Sequence, residues 1–205
     1  KDVGIKDGLI AAVEDSLDEA DGREIYDATG YIVTPGLVDL LSHNHPEGTV
    51  LGVSPNAQAL NGVTTTVSPG DFGAHAVGAF RASKAQYRPR TLGWLMISRV
   101  GYSAFPHTSL AFLSYADQAA ATAALVANSD ILLGVKVLTG FSITGHLSAA
   151  DDLVPLDRAI AACEDAAIAV PGKTFRVCVH IGGQRTTTQI NDIVTKLRAG
   201  DIIVH

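Results

Sequence analysis

Two histidines separated by a single residue, His43 and His45, stand directly after an apolar run from Leu37 to Leu41. If that run forms a β-strand, alternate side chains share one face, so both imidazoles point the same way. Two imidazoles on one face at a strand end can hold one metal ion. An ordinary pair of loop histidines would give the same spacing, so the pair alone leaves both interpretations open.

Three further side chains that could take part in a metal site lie in or after later apolar runs: Lys136, His180 and His205. Lys136 needs an explanation, because an ammonium buried inside a protein is costly. It pairs with a carboxylate that the sequence does not reveal, or reaches solvent along its stem, or is carbamylated by carbon dioxide. Burial favours the neutral amine, which is the form that would react. Solvated loop positions account for the other histidines that lie off the strands, His75, His107 and His146.

The elements that position these residues follow two different patterns of predicted secondary structure. Residues 1–34 predict short strands with tight turns, at Asp7-Gly8 and again at Thr29-Gly30. After Gly36 strands and helices alternate. The predicted strands are Leu37–Ser42, Thr64–Ser68, Thr91–Ser98, Ile131–Leu138, Phe175–Ile181 and Asp201–His205. The predicted helices are Asn56–Asn61, Ala76–Tyr87, Tyr115–Asn128, Asp152–Ala167 and Thr187–Leu197.

Repeated strand–helix units imply a parallel sheet with right-handed crossovers. Six strands fit an open doubly wound sheet or part of an eight-stranded barrel, and periodicity does not decide between them. The chain has neither GxGxxG after its first strand nor a GxxxxGK[ST] loop, so a nucleotide-binding fold has no local support. In parallel barrels the site is built at the carboxyl ends of several strands. Four of the six predicted strands carry a histidine or lysine suited to such a site.

Composition sets the broad class. The 205 residues are 47% hydrophobic and 18% charged with a net charge of −6, so we expect a packed globular core. No basic cluster indicates nucleic-acid binding, and no apolar run is long enough for a membrane helix. Cys163 and Cys178 lack CxxC spacing and are expected to be reduced core residues of a cytoplasmic protein.

The ordered blocks resemble the amidohydrolase superfamily, close to its dihydroorotase-like and deacetylase-like metal-dependent hydrolases. The resemblance covers residues 31–205 and rests on PGLVD before His43-Asn44-His45, then on GVTT, GVKV, VHIGG and GDIIVH. It implies a (β/α)8 TIM-type barrel, of which strands one to six lie in residues 35–205, and part of a small β-sandwich domain in residues 1–34.

The resemblance also implies roles for the site residues. His43 and His45 would bind one metal ion, Lys136 would be the carbamylated bridge, and His180 and His205 would bind a second ion. The ions would be divalent, with zinc suited to imidazole ligands. A hydroxide bridging the two ions would attack an amide bond, cyclic or N-acyl, or an ester.

The family pattern also needs an aspartate at the end of strand eight as a metal ligand and proton shuttle. That residue is expected outside this sequence, which stops at strand six and is expected to be part of a longer chain. No catalytic residue is therefore assigned within the 205 residues.

Substrate contacts are less defined. Arg99 and Arg185 follow predicted strands and could each hold a substrate carboxylate, although a solvated loop arginine explains either. We expect a small-molecule substrate, and a homo-oligomer is open. The alternatives are a non-catalytic scaffold or inactive fragment with this fold, and an all-β metal-binding barrel, which the strand–helix alternation disfavours.

Overall fold

The computed structural model describes residues 1–102, 109–110, 112–140, 151–182 and 187–205. The chain forms two compact units, Lys1–Pro35 and Gly36–His205. Within the described residues no helix combines the length and the apolar character needed to cross a membrane.

The first unit is a β-hairpin of β1 (Asp2–Lys6) and β2 (Leu9–Glu14), followed by a short 3-10 helix at Glu19–Asp21. Asp7 and Gly8 both have positive φ, as a two-residue turn between right-twisted strands requires. The second predicted pair of strands, around Thr29-Gly30, is wrong: residues 22–36 contain no strand. Their apolar side chains, such as Ile32 at 90% exposure, have no layer to pack against within this unit.

The second unit is built on six parallel strands in the order β3-β4-β5-β6-β7-β8, curled into half of a barrel. This confirms the predicted parallel barrel strands and excludes an all-β barrel. The strands are β3 (Leu37–Asp39), β4 (Val63–Ser68), β5 (Arg90–Met96), β6 (Leu132–Leu138), β7 (Arg176–His180) and β8 (Ile202–Val204).

In the described part of the chain, five helices lie between the strands: α1 (Pro55–Ala59), α2 (Val77–Lys84), α3 (Gln118–Ala127), α4 (Val154–Ala169) and α5 (Thr187–Lys196). Short 3-10 turns lie at Ala74–Ala76 and Leu113–Tyr115. The N-terminus of α3 is capped by Asp117, whose carboxylate accepts a hydrogen bond from the Ala120 amide.

The main core lies between the helices and one face of the sheet, where Phe72, Phe80, Leu95 and Leu156 are fully buried. Val135 and Val137 of β6 belong to this core, so Lys136 between them points to the opposite face. A smaller apolar cluster is formed by Val67, Trp94 and Cys178. Strand alternation therefore separates a helix-covered face from the face that carries Lys136.

Candidate metal centre

Three of the predicted ligands lie on neighbouring strands at one end of the sheet. Lys136 is within β6, His180 is the last residue of β7, and His205 follows β8 directly. The register pairs Leu138 with His180 and His180 with Val204. We call Lys136, His180 and His205 the strand-end group.

Lys136 is buried, with only 2% of its surface exposed. Its ammonium lies 3.6 Å from Cys178 Sγ, and no described carboxylate forms an ion pair with it. Burial lowers the pKa of Lys136, and the nearby thiol only partly offsets that effect. The pairing with an unseen carboxylate therefore has no support among the described residues.

His180 and His205 stack with ring centroids 5.5 Å apart and planes inclined by 21°. Both Nε2 atoms face Gly182: a methyl group at that glycine would lie 3.4 Å from His205 Nε2 and 3.5 Å from His180 Nε2. Burial, with the charges of Lys136 and then His205, lowers the pKa of His180 to about 4. His180 is therefore neutral near pH 7, in the form that binds metals.

The histidine pair, His43 and His45, is positioned differently. Strand β3 ends at Asp39, not at Ser42 as predicted, although the Ser42 amide still donates to the Val67 carbonyl at 3.0 Å. The two histidines lie in the connection after the strand, so strand alternation does not fix their directions.

The two imidazoles meet different surroundings. His43 Nδ1 hydrogen bonds to Asp71 Oδ1, and its ring lies 5.9 Å from that of Tyr102. His45 is buried edge-on against Phe72 and Phe80, with ring centroids at 6.1 and 5.6 Å. Its Nδ1 lies 3.4 Å from Glu47 Oε2 without forming a hydrogen bond. The expectation that both rings share one face because they belong to a strand is therefore not met.

Asp71 was missed by the sequence reasoning. It is 1% exposed, and its Oδ2 accepts a hydrogen bond from the His45 amide at 3.2 Å. Its own amide donates to Ser68 Oγ at 3.1 Å. Its position could have indicated a role, because Asp71 lies three residues after the end of β4, in a loop at the carboxyl end of a barrel strand, where site residues are found.

The donor chemistry of these residues fits divalent cations. The strand-end group offers two imidazole nitrogens at one small gap, and each histidine of the pair turns its Nδ1 toward a carboxylate, as metal-binding histidines do. Within the described part of the chain, however, no three His, Cys, Asp or Glu side chains form one group able to hold a metal ion. The predicted two-metal ligand set stays a prediction.

The remaining candidates have other surroundings or fall outside the described residues. Arg99 pairs with Asp117 at 3.7 Å and lies 5.6 Å from the centroid of the Tyr115 ring. His75 is exposed. Three candidates from the sequence fall outside the described residues: Arg185, His107 and His146.

Comparison with known proteins finds hydrolytic enzymes, the class of protein that the sequence motifs also indicate. No protein-family model matches the chain. A deacetylase of Brucella anthropi is 28% identical over 203 residues, which is 98% of this chain and 47% of that protein. A crystal structure of an adenine deaminase superposes with a TM-score of 0.81 at 22% identity, over 98% of this chain and 51% of that one. A crystal structure of a dihydroorotase gives 0.73 at 25% identity, over 96% and 50%.

The chain thus spans about half the length of the proteins that match nearly all of it. The similarity to the adenine deaminase supports the fold alone. The similarities to the deacetylase and the dihydroorotase also support a relationship in sequence. Together with the half-barrel and the strand-end group, these relatives indicate the amidohydrolase superfamily.

Proposed function

We propose that the protein acts in a metal-dependent hydrolase that cleaves an amide C–N bond, cyclic or N-acyl, or an ester. The observation that carries the proposal is the strand-end group: two imidazoles whose Nε2 atoms face one gap, beside a buried lysine without a carboxylate partner among the described residues. Buried polar atoms are normally hydrogen bonded, and a purely structural role would leave polar atoms of these three side chains without good partners among the described residues. A ligand-binding role is therefore the better explanation.

His43 and His45 would hold one divalent ion, His180 and His205 a second, and Lys136 would bridge the two, with zinc the best match to imidazole. Such ions, when bound, lower the pKa of water toward neutrality and polarise a carbonyl for attack. Neutral His180 supports this role, because a protonated imidazole has no lone pair to donate.

Lys136 would serve as a carbamate. Its neutral amine attacks the carbon of carbon dioxide, an N–C bond forms, and one proton leaves to solvent, which turns a buried amine into an anion. Burial lowers the pKa of Lys136 and so favours the neutral amine that reacts, while bound cations would offset the charge of the carbamate. A carboxylate-like group on β6 would lie on the strand next to His180, as their register requires.

The substrate class follows from the relatives rather than from a pocket. These relatives are a deacetylase, a dihydroorotase and an adenine deaminase, and hydrolysis at a C–N bond is common to these activities. We propose a small-molecule substrate that binds at the strand ends. We assign no individual substrate.

Metal content and hydrolysis test the proposal together. Protein prepared without chelators should contain up to two divalent ions per chain, and Lys136→Ala should lose them along with activity on amide and ester substrates, by about 10³-fold or more. Lys6→Ala, an exposed lysine on β1, is the matched control and should change neither. Protein without bound metal, or Lys136→Ala with full metal and activity, would overturn the proposal.

A second candidate is a non-catalytic member of the superfamily that serves as a scaffold. The observation in its favour is that the described residues form no three-ligand metal group. Stoichiometric metal that is lost in His180→Ala, together with any hydrolysis that depends on it, would exclude the scaffold.

A further inference from the structure

Within the residues that the structure describes, Asp71 is the buried carboxylate in direct contact with the histidine pair. Its side chain lies after β4, is nearly inaccessible, and gives one oxygen to His43 Nδ1 and the other to the His45 amide. Both carboxylate oxygens are therefore committed to the two histidines, through a side-chain contact and a main-chain contact.

A buried carboxylate is costly unless hydrogen bonds or a partner charge offset its desolvation. Among the described residues no lysine or arginine forms an ion pair with Asp71, and its one ion-pair partner there is His43. Burial, and then the negative charge of Asp71, raises the pKa of Tyr102, whose ring lies 5.9 Å from that of His43. These contacts connect the location of Asp71 to the histidine pair rather than to general stability.

The hydrogen bond to Asp71 has a defined consequence for His43. A carboxylate at Nδ1 accepts its proton and so selects the Nδ1–H tautomer, which leaves Nε2 with a free lone pair. The bond to the His45 amide fixes the main chain between the two histidines. Since this segment lies beyond β3, the sheet does not supply that constraint.

We infer that Asp71 is a positioning residue, which holds His43 as the Nδ1–H tautomer with Nε2 free for a divalent cation. The inference rests on the proposed metal site, but it concerns a residue outside the predicted ligand set. Asp71 acts through the histidine pair, since one of its oxygens contacts His43 Nδ1 and the other accepts from the His45 amide.

The preceding residue links Asp71 to the strand-end group. Gly70 has φ +103°, and a methyl group there would lie 2.8 Å from Lys136 Cγ. Glycine thus lets the β4 turn approach Lys136 closely while the next residue reaches His43. One short turn contacts both parts of the candidate site.

The variant Asp71→Asn tests the inference, because it keeps the shape and removes the charge. Zinc affinity, measured by chelator competition near pH 7.5, should fall about 10- to 100-fold. In metal-free protein, ¹⁵N imidazole spectra should show His43 protonated at Nδ1 in the wild type, and this preference should be lost in the variant. Asp130→Asn is the control, since Asp130 is an exposed carboxylate that pairs with Arg81.

The controls separate positioning from folding. If Asp71→Asn unfolds, Asp71→Glu restores the charge and should recover the Nδ1–H tautomer. A wild-type His43 protonated at Nε2, or an Asp71→Asn protein with unchanged tautomer and zinc affinity, would overturn the inference. If the wild type binds no zinc, the proposed function fails, and the tautomer of His43 still decides whether Asp71 positions it.

Discussion

The histidine pair and the strand-end group reach the same end of the sheet by different means. The strand-end group lies on or directly after β6, β7 and β8, so the hydrogen-bonded ladder sets where each side chain points. The histidine pair lies four and six residues beyond the end of β3, and the Asp71 carboxylate holds the His43 ring and the His45 main chain.

The contrast shows how a site can divide the work of positioning. A strand residue inherits its direction from the pleat, whereas a residue in a connection needs its own hydrogen bonds. Accordingly, no carboxylate among the described residues pairs with Lys136, while His43 contacts Asp71. Changes to the sheet should therefore affect one half of the site, and changes to Asp71 the other.

The largest effect should come from Asp201→Ala, which acts on the strand side. The Asp201 side chain is fully buried and accepts hydrogen bonds from the amides of Val177 and Arg198, at 2.7 and 2.8 Å, and from the Arg198 guanidinium. Removing it leaves those donors unpaired and should cost about 3 to 5 kcal/mol in urea unfolding. Asp130→Asn is the surface comparison. A loss below about 1 kcal/mol in Asp201→Ala would show that Asp201 does not anchor β8, the strand that His205 follows.

Gly70→Ala should disturb both halves at once. The added methyl would lie within 3.0 Å of Lys136 and Met96 atoms at a positive φ, so we expect a loss of about 3 kcal/mol in thermal or urea unfolding. Gly172→Ala is the matched control, because Gly172 also has positive φ but open space around it. Equal losses in the two variants would mean that the approach to Lys136 is not tight.

Gly182→Ala should separate metal binding from folding. The methyl would make ordinary contacts with His180 and His205, so stability should change by less than about 1 kcal/mol. It would nevertheless fill the gap that both Nε2 atoms face, and zinc affinity should fall by about 10-fold or more. Unchanged affinity in chelator competition would show that the cation does not use this gap.

The pH dependence of metal-free protein should report on His180. Its folded-state pKa of about 4 lies below the ordinary 6.5, so between these values the unfolded chain binds a proton that the folded chain does not. Stability is therefore fully present above pH 6.5 and falls as the pH drops toward 4. Because the ring is only half buried, we expect a loss of about 1 kcal/mol.

Urea unfolding at pH 7 and 4.5, with chelator present, measures this loss. His180→Gln should remove its part of the pH dependence, and an identical slope in that variant would assign the effect to other groups.

Arg99→Ala should have the smallest effect. Arg99 is held by Asp117 and Tyr115, and a partly exposed pair of this kind contributes about 0.5 kcal/mol. We expect KM for acidic substrates to stay within about twofold of the wild type by the same reasoning. A larger rise in KM would restore Arg99 as a substrate-binding residue.

Much of the fold could be predicted from periodicity. The six strands, their parallel order and the helices between them follow from apolar runs alternating with helical patterns, and the buried Lys136 follows from its place in one such run. The predicted strand at Ile32 is absent because its side chains have no layer to cover, and the strand predicted before His43 is longer than the observed β3. In both places the sequence pattern was apolar, but the surroundings that stabilise a strand were absent.

The sequence by itself determined the type and order of the candidate ligands, because both belong to the covalent structure of the chain. Only the tertiary structure decided that His180 and His205 face one gap at Gly182, and that Asp71, 28 residues along the chain, holds His43. Such contacts depend on how far each strand extends and how closely turns approach, and those distances arise from packing between segments remote in sequence.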